Sequence, residues 1–510
     1  MRFLFRTDAN ATIGTGHLMR CLALAEALRA GGAECIFLCR EEGLGTLAQR
    51  IVAAGHQLLA LPERAGPVDD DGPPHAKWLP AGQLADVEAC RAVIAGRAPV
   101  DWLVVDHYAL DHRWQTAMRA VASRIMAIDD LADRRHDCDL LLDQSLIEDM
   151  QARYDNRVPQ HCVRLLGPRY ALLRAEFSSQ GMRADRPPSA VARLLVMFGG
   201  ADTQNLTLRV VNQLAVMAWE GEVDVVAGPL YGQLAQLAQA VSRLARGRLH
   251  APADNVASLM RGADLAVGSP GVSSWERCAC ALPSIAIAQA DNQEGIGRAL
   301  GEIGAHFYLG RAETVNDAHL SASLSLWLAN AAARKAMSKA AAAVCDGGGL
   351  RRVIAKLSSP KLSIRLVSSA DAELLYVWRN DERIRRHSLD SRPLVLADHR
   401  EWIERTLVRP DVDLILACND GIPIVCIRFD CCETRARVSI YADPHLQGAG
   451  FGRPALLAAL DWLRQKRPEV VQTCAEVLPD NSASHALFAS VGYHLAWSQY
   501  ERSQEATCER

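Results

Sequence analysis

"NATIGTGHLMRCLALAEAL", residues 10–28, runs from a glycine-flanked histidine directly into a helix-period apolar pattern. The short apolar run "RFLF" precedes it, Gly31-Gly32 closes it, and "ECIFLC" then begins a second apolar run. Strand, turn, helix and strand open a doubly wound α/β fold, and such a turn offers free amides and a helix dipole to an anion. The dinucleotide fingerprint fails, because Met19 stands where the third glycine of GxGxxG belongs, and no P-loop GK[ST] follows. A phosphate cradle has no need of His17. Taken alone, His17 reads as a turn or N-cap histidine.

Outward from this turn the alternation continues. "DWLVVD" (101–106), "RIMAID" (124–129) and "DLLLD" (139–143) are continuous apolar runs ending in aspartate, the pattern of buried parallel strands. Residues 64–82, rich in Pro, Gly and Asp, predict a surface loop, and the polar stretch 178–190 predicts a linker. A second α/β series starts at "RLLVMFGGADTQN" (193–205) and ends in an alanine-rich helix over 331–345. The shift from "DGGG" to "LSSPK" across 346–361 predicts a short second linker. Residues 362–505 then show helices followed by a strand meander, "QTCAEVL" included, which fits an α+β module. The expected domains are 1–180, 181–350 and 362–505. The expected fold class is α/β, with two doubly wound Rossmann-like lobes ahead of the α+β domain.

Composition narrows the function classes. A chain of 510 residues is too long for one ordinary core. A formal charge of −3 gives no basic field for nucleic acid. The fifteen cysteines include no CxxC pair, so buried free thiols in a reducing cytoplasm are expected rather than a metal or disulfide framework. No signal peptide or membrane-spanning run is visible, which predicts a cytoplasmic protein with no membrane partner.

The second lobe carries its own glycine turns. In "GSPGVSSWE" (268–276) a strand leads through a loop to Ser273 and Ser274 at a helix start, a setting for a diphosphate. Glu276, one turn in, is placed to accept the hydroxyls of a ribose. Gly199 and Gly200 in "FGGAD" (198–202) form a second turn facing the same cleft, and Asn292 and Gln293 offer amides to sugar hydroxyls.

Residues 1–350 resemble GT-B-fold sugar-nucleotide enzymes, and more closely the UDP-sugar hydrolases of pseudaminic acid biosynthesis. The resemblance rests on "RTDANATIGTGHLMRCLALA", "VVDHYALD", "IDDLADRRHDCDLLLDQ", "LGPRYALLRAEF", "FGGAD" and "GADLAVGSPGVSSWERC…LPSIAIAQADNQ", in that order. It implies inverting, metal-independent hydrolysis of UDP-2,4-diacetamido-2,4,6-trideoxy-β-L-altropyranose, with water as acceptor. His17 matches the catalytic histidine, an imidazole poised to take a proton near neutral pH. Arg6 and Asp8, which precede it on the strand end, are implied as catalytic residues that orient substrate or imidazole. Gly14, Gly16, Asp106, His107 and Tyr108 fall in the matched substrate-binding stretches. The chain departs from the family's GAGGS loop at Ser269, Pro270 and Val272, and carries Ser145 where asparagine is common. A glycosyltransferase or a non-catalytic sugar-nucleotide sensor on the same frame stays open, as does a legionaminic-type sugar.

"YADPHLQGAGFGRPALLAAL" (441–460) resembles the acetyl-CoA turn of GNAT N-acetyltransferases. Gln447, Gly450 and Gly452 match the pattern Q/R-x-x-G-x-G/A, with Gly448 a further cofactor-binding candidate in the same turn, and Asn481 with its following helix matches the second CoA-contacting segment. Phe488 stands where many members have the tyrosine that protonates the leaving thiolate. Glu476, expected on a strand opposite the acyl site, and His445 are the candidate bases. The resemblance implies acetyl-CoA as cosubstrate and a bifunctional chain that acetylates a UDP-4-amino-4,6-dideoxy sugar before removing UDP. Other enzymes of the same pathway are possible partners.

Overall fold

The computed structural model describes residues 1–496 apart from 11, 43, 63–65, 67–70, 80, 148, 178–190, 201, 254, 358–361, 389, 420 and 449. The linker expected at 178–190 lies outside the described residues. The chain divides into two compact units, Met1–Leu357 and Ser358–Arg510.

The first unit holds two parallel sheets. One consists of β1 (Arg2–Thr7), β2 (Glu34–Arg40), β3 (Gln57–Leu61), β4 (Val100–Asp106), β5 (Ala122–Ile128), β6 (Leu140–Asp143) and β7 (Val163–Leu166), in the order 3-2-1-4-5-6-7. The other consists of β8 (Arg193–Met197), β9 (Glu222–Val226), β10 (Arg246–His250), β11 (Leu265–Gly268), β12 (Ser284–Ala288) and β13 (Phe307–Arg311), in the order 10-9-8-11-12-13. Each sheet is buried on both faces, which is why its strands read as continuous apolar runs. Phe3 and Phe5 enter the core on one face, against Leu22 and Leu28 of the helix Gly16–Ala30, while Leu4 enters the core on the other. Leu194 and Val196 divide from Leu195 and Met197 in the same way.

In both sheets the strand order reverses at the first strand. The order places β1 beside β4, and β8 beside β11. Ligands of open α/β sheets bind at the carboxyl ends of such strand pairs, where the flanking connections diverge and leave a crevice. His17 follows β1, and Asp106 to Tyr108 end and follow β4. Gly199 and Gly200 follow β8, and the 269–273 loop follows β11.

The expected linker at 346–361 is corrected in its first part. Gly349–Leu357 is a helix whose Leu350, Val353 and Leu357 are buried in the core of the first sheet, and the Trp102 indole donates to the Leu357 carbonyl at 2.9 Å. Its apolar side chains are spaced by three and four residues, so they share one face and pack against the helix Gly16–Ala30 rather than staying in solvent.

The second unit is a mostly antiparallel sheet in the order β14 (Leu362–Leu366), β15 (Val412–Asn419), β16 (Ile422–Cys432), β17 (Arg435–Ala442) and β18 (Gln472–Cys474). Its first strand was not anticipated from the sequence. The expected strand "QTCAEVL" stops at Cys474, so β18 pairs in parallel with β17 only from Arg435 to Arg437, and β17 runs on to Ala442 paired with β16 but not with β18. Among the described residues every cysteine is a free thiol. Most are buried, but Cys432 and Cys474 are exposed.

Candidate active site

The loop after β1 is held by its own side chain: Asn10 Oδ1 accepts from the amides of Thr12 and Ile13, and Gly14 N–H donates to the Asn10 carbonyl at 2.8 Å. The helix Gly16–Ala30 starts immediately afterwards with no side-chain cap, so its first amides face the crevice. The second lobe closes on this turn. A Cβ at Gly16 would meet Val272 Cγ2 at 3.6 Å, and a Cβ at Gly200 would lie 2.2 Å from Thr15 Oγ1. Gly200 therefore permits the close approach of the two lobes' loops, while at Gly16 a side chain would make only ordinary contact with Val272.

His17 stands at that meeting point. Its Nδ1 is 2.6 Å from Asp106 Oδ1, and Arg20, one helical turn on, donates to both Asp106 oxygens at 2.6 and 2.7 Å. Burial alone would raise the Asp106 carboxyl, but Arg20 and then His17 hold it well below the usual carboxylate range. An ionised Asp106 makes Nδ1 the protonated nitrogen and leaves the Nε2 lone pair as the base. Arg20 continues to Asp130 at 2.9 Å, and Asp130 accepts from the Tyr108 hydroxyl. The Tyr108 ring meets His17 edge-on at 4.5 Å.

Two aromatic neighbours were missed in the sequence because they sit in the 64–82 stretch read as surface loop. Trp78 stacks on Tyr108 at 5.3 Å and presents an edge to His17 at 6.1 Å, while His75 lies 4.8 Å from Trp78. A tryptophan within a Pro/Gly-rich loop was the available signal.

Arg6 and Asp8 are corrected from catalytic to positioning residues. Arg6 is fully buried, its guanidinium shared between Asp8 at 2.7 and 2.9 Å and Asp86 at 2.8 and 3.1 Å, with no face left for a substrate. Burial would raise the Asp8 carboxyl, yet Arg6 and His107 keep it well below its usual range. His107 Nε2 lies 3.2 Å from Asp8, while its Nδ1 accepts from the Ala109 amide. This lattice braces the backbone on either side of Asp106.

In the second lobe the hydroxyls of Ser273 and Ser274 accept from Arg277 at 3.2 and 3.0 Å, and Ser274 is buried. The Ser273 hydroxyl also donates to the Ser269 carbonyl at 3.4 Å, so both serines tie Arg277 to the 269–273 loop, while the Ser274 hydroxyl keeps its own proton to donate. Glu276 is half-buried and burial pushes its carboxyl up to about 7, against the lowering pull of Arg174, which stands 3.8 Å away. Gln293 Oε1 caps the amide of Gln289, Asn292 is exposed on the helix Asp291–Glu302, and a Cβ at Gly199 would face Ser269 Oγ at 3.8 Å.

In the second unit Gly448 and Gly450 have φ of +76° and +89°, a conformation that turns successive amides outward and that side chains resist. These glycines lead into the helix Gly452–Lys466. Gly452 serves packing, since a Cβ there would press on Leu487 at 3.3 Å. Gln447 precedes this turn. Asn481 caps the helix Ser482–Ser490 by accepting from Ser484 N–H at 3.1 Å. Glu476 lies past the end of β18, correcting its placement on a strand, and is 3.7 Å from Arg437. His445 sits in the 3-10 turn Pro444–Leu446 and donates its amide to Asp443. The Phe488 ring meets Tyr493 at 5.0 Å, and the Tyr493 hydroxyl donates to Thr473 on β18. Among the described residues no helix is long and apolar enough to cross a membrane, and no group of three or more His, Cys, Asp or Glu is arranged to hold a metal ion.

The uncharacterized protein MJ1062 of Methanocaldococcus jannaschii is 21% identical over 97% of this chain and 96% of its own length. The UDP-2,4-diacetamido-2,4,6-trideoxy-beta-L-altropyranose hydrolase of Campylobacter jejuni is 23% identical over 51% of this chain and 81% of its own. Among solved structures, MurG of Acinetobacter baumannii aligns with 70% of this chain and 99% of its own at 15% identity and a TM-score of 0.46. The family model described as "Acetyltransferase (GNAT) domain" matches residues 361–494. The GNAT acetyltransferase match thus falls within the second unit, on a chain whose first unit holds two parallel sheets with reversed strand order.

Proposed function

We propose that the chain is a bifunctional sugar-nucleotide enzyme. Its GNAT domain transfers an acetyl group from acetyl-CoA to the 4-amino group of a UDP-4-amino-4,6-dideoxy sugar, and its first unit hydrolyses the resulting UDP-2,4-diacetamido-2,4,6-trideoxy-β-L-altropyranose. One observation carries the hydrolytic half: the His17 imidazole is pinned at Nδ1 by Asp106, with Nε2 unbonded among the described residues, where the loops of the two lobes meet.

From that position His17 Nε2 takes a proton from water as the water oxygen attacks the anomeric carbon from the face opposite UDP. The bond from that carbon to the phosphate oxygen breaks, inverting the centre, and UDP departs as an anion. Open amides at the 269–273 loop stabilise the departing charge. Glu276 accepts from the ribose, and the aromatic wall of Trp78 and Tyr108 excludes water from the face of the imidazole. The Campylobacter hydrolase supports this substrate by its similarity over the first unit. In the GNAT domain the turn at Gly448 and Gly450 fits the pyrophosphate of acetyl-CoA, and the gap that opens where β17 and β18 part fits its acyl arm.

His17→Asn tests the reading. UDP release from the diacetamido sugar nucleotide falls by roughly 10²–10⁴-fold, the usual cost of losing a positioned base, while acetyl-CoA consumption stays at the wild-type rate. Hydrolysis close to wild type in this variant overturns the assignment, and transfer of the sugar to an added acceptor in preference to water points to a glycosyltransferase.

A further inference from the structure

Arg277 is a buried cation with no carboxylate in ion-pair contact among the described residues. It is 2% exposed, and the three oxygens it donates to are all neutral: the Ser269 carbonyl at 2.9 Å, Ser274 Oγ at 3.0 Å and Ser273 Oγ at 3.2 Å. Its Nε has no partner, and no carboxylate comes within 4.0 Å among the described residues. No ionisable group makes an ion pair with it: the neighbouring Glu276 carboxyl, pushed up to about 7 by burial, stands 3.8 Å from Arg174 instead, burial and then Arg277 itself keep His306 neutral at a value of about 4, and burial pushes the Cys278 thiol upward. Burial pulls Arg277 itself down to about 10, against the weaker raising pull of Cys278 and Glu276.

The fold makes room for this charge. A Cβ at Gly268 would sit 2.3 Å from the Met197 carbonyl of the neighbouring strand and 3.1 Å from Arg277 Nη1, so glycine is required by the strand pairing and also leaves the guanidinium uncrowded. That loop contains Pro270, which has no N–H to offer a phosphate. A lone cation in a low-dielectric interior is costly unless an opposite charge arrives nearby, and its field reaches an anion across one layer of backbone.

We propose that Arg277 is the fixed countercharge for the diphosphate of the sugar nucleotide, a positioning residue that acts through the 269–273 loop rather than by contact. The proposal rests on the UDP-sugar reading above. It assigns the loop's selectivity for a diphosphate to a charge beneath it, which makes good the amide missing at Pro270.

Calorimetry on the full-length chain, with UDP and uridine as separate probes, tests it. Arg277→Gln weakens UDP roughly 10- to 100-fold, as expected for one screened charge a few ångströms away, and leaves uridine unchanged. Arg277→Lys keeps the charge and retains the preference for UDP over uridine. Equal weakening of both probes in Arg277→Gln identifies a purely structural prop and overturns the proposal, as does unchanged UDP affinity. If Arg277→Gln does not fold, Arg277→Lys decides: loss of the UDP preference in a folded lysine variant overturns the proposal, and its retention supports it. Wild-type protein that binds neither probe overturns the nucleotide reading itself, whereas wild-type protein that binds both equally overturns only the role of Arg277.

Discussion

His17 Nδ1 and Asp106 Oδ1, 89 residues apart in the chain, lie 2.6 Å from each other across the junction of β1 and β4. The carboxylate selects the Nδ1–H tautomer and aims Nε2 at the crevice. Asp106→Asn keeps the shape but loses both the charge and the preference for that tautomer. UDP release falls by roughly 10²–10⁴-fold with a smaller change in KM, because the base is misdirected rather than the substrate lost. A steady-state assay showing wild-type kcat removes Asp106 from the mechanism.

Glu276 gives a pH signature. Burial pushes its carboxyl up to about 7, above the value of an exposed glutamate. The neutral form is therefore favoured by folding, and its contribution to stability is fully present below the unfolded value and lost as pH rises through about 7. Glu276→Gln should raise the Tm relative to wild type at pH 8 and leave the difference small at pH 5. The charged form is the better acceptor for ribose, so uridine, which carries no phosphate to titrate, should bind wild type more tightly as pH rises from 6 to 8. In Glu276→Gln the affinity should be flat with pH and weaker by about 1–3 kcal/mol at pH 8. Parallel pH profiles for the two proteins would exclude this role.

The helix Gly349–Leu357 sets where the chain can be divided. Leu357 is fully buried and its carbonyl holds the Trp102 indole, so Leu357→Ala should cost roughly 2–5 kcal/mol in urea unfolding of residues 1–357. A fragment ending at residue 348 exposes the face that this helix covers and should aggregate or melt far lower. Equal melting temperatures for fragments ending at 348 and 357 would show that the helix is dispensable.

The GNAT turn can be struck separately. Gly450→Ala forces a side chain into φ of +89°, a strain of about 1–3 kcal/mol or a rearranged turn. The expected result is a raised KM for acetyl-CoA with UDP release from the already acetylated sugar unchanged. A variant with normal acetyl-CoA kinetics would remove this turn from cofactor binding.

Local pattern determined much of this protein. Continuous apolar runs mark strands that are buried on both faces, and the spacing in residues 17–28 marks the helix that covers one of those faces. The glycine turns after β1, β8 and β17 were legible for the same reason: their chemistry lies within a few consecutive residues. Tertiary structure decided which groups share a site. Arg6 and Asp8 lie close to His17 in sequence, yet strand alternation and the arrival of Asp86 lock them into a separate buried lattice. Trp78 joins His17 from a loop with no periodicity to read, and Leu357 ends a helix whose apolar face means nothing until the first lobe is there to cover it. Arg277 reads in sequence as an ordinary helix cation, since only packing reveals that no carboxylate reaches it. A buried charge takes its energy from everything within a few ångströms, and sequence spacing does not specify those neighbours.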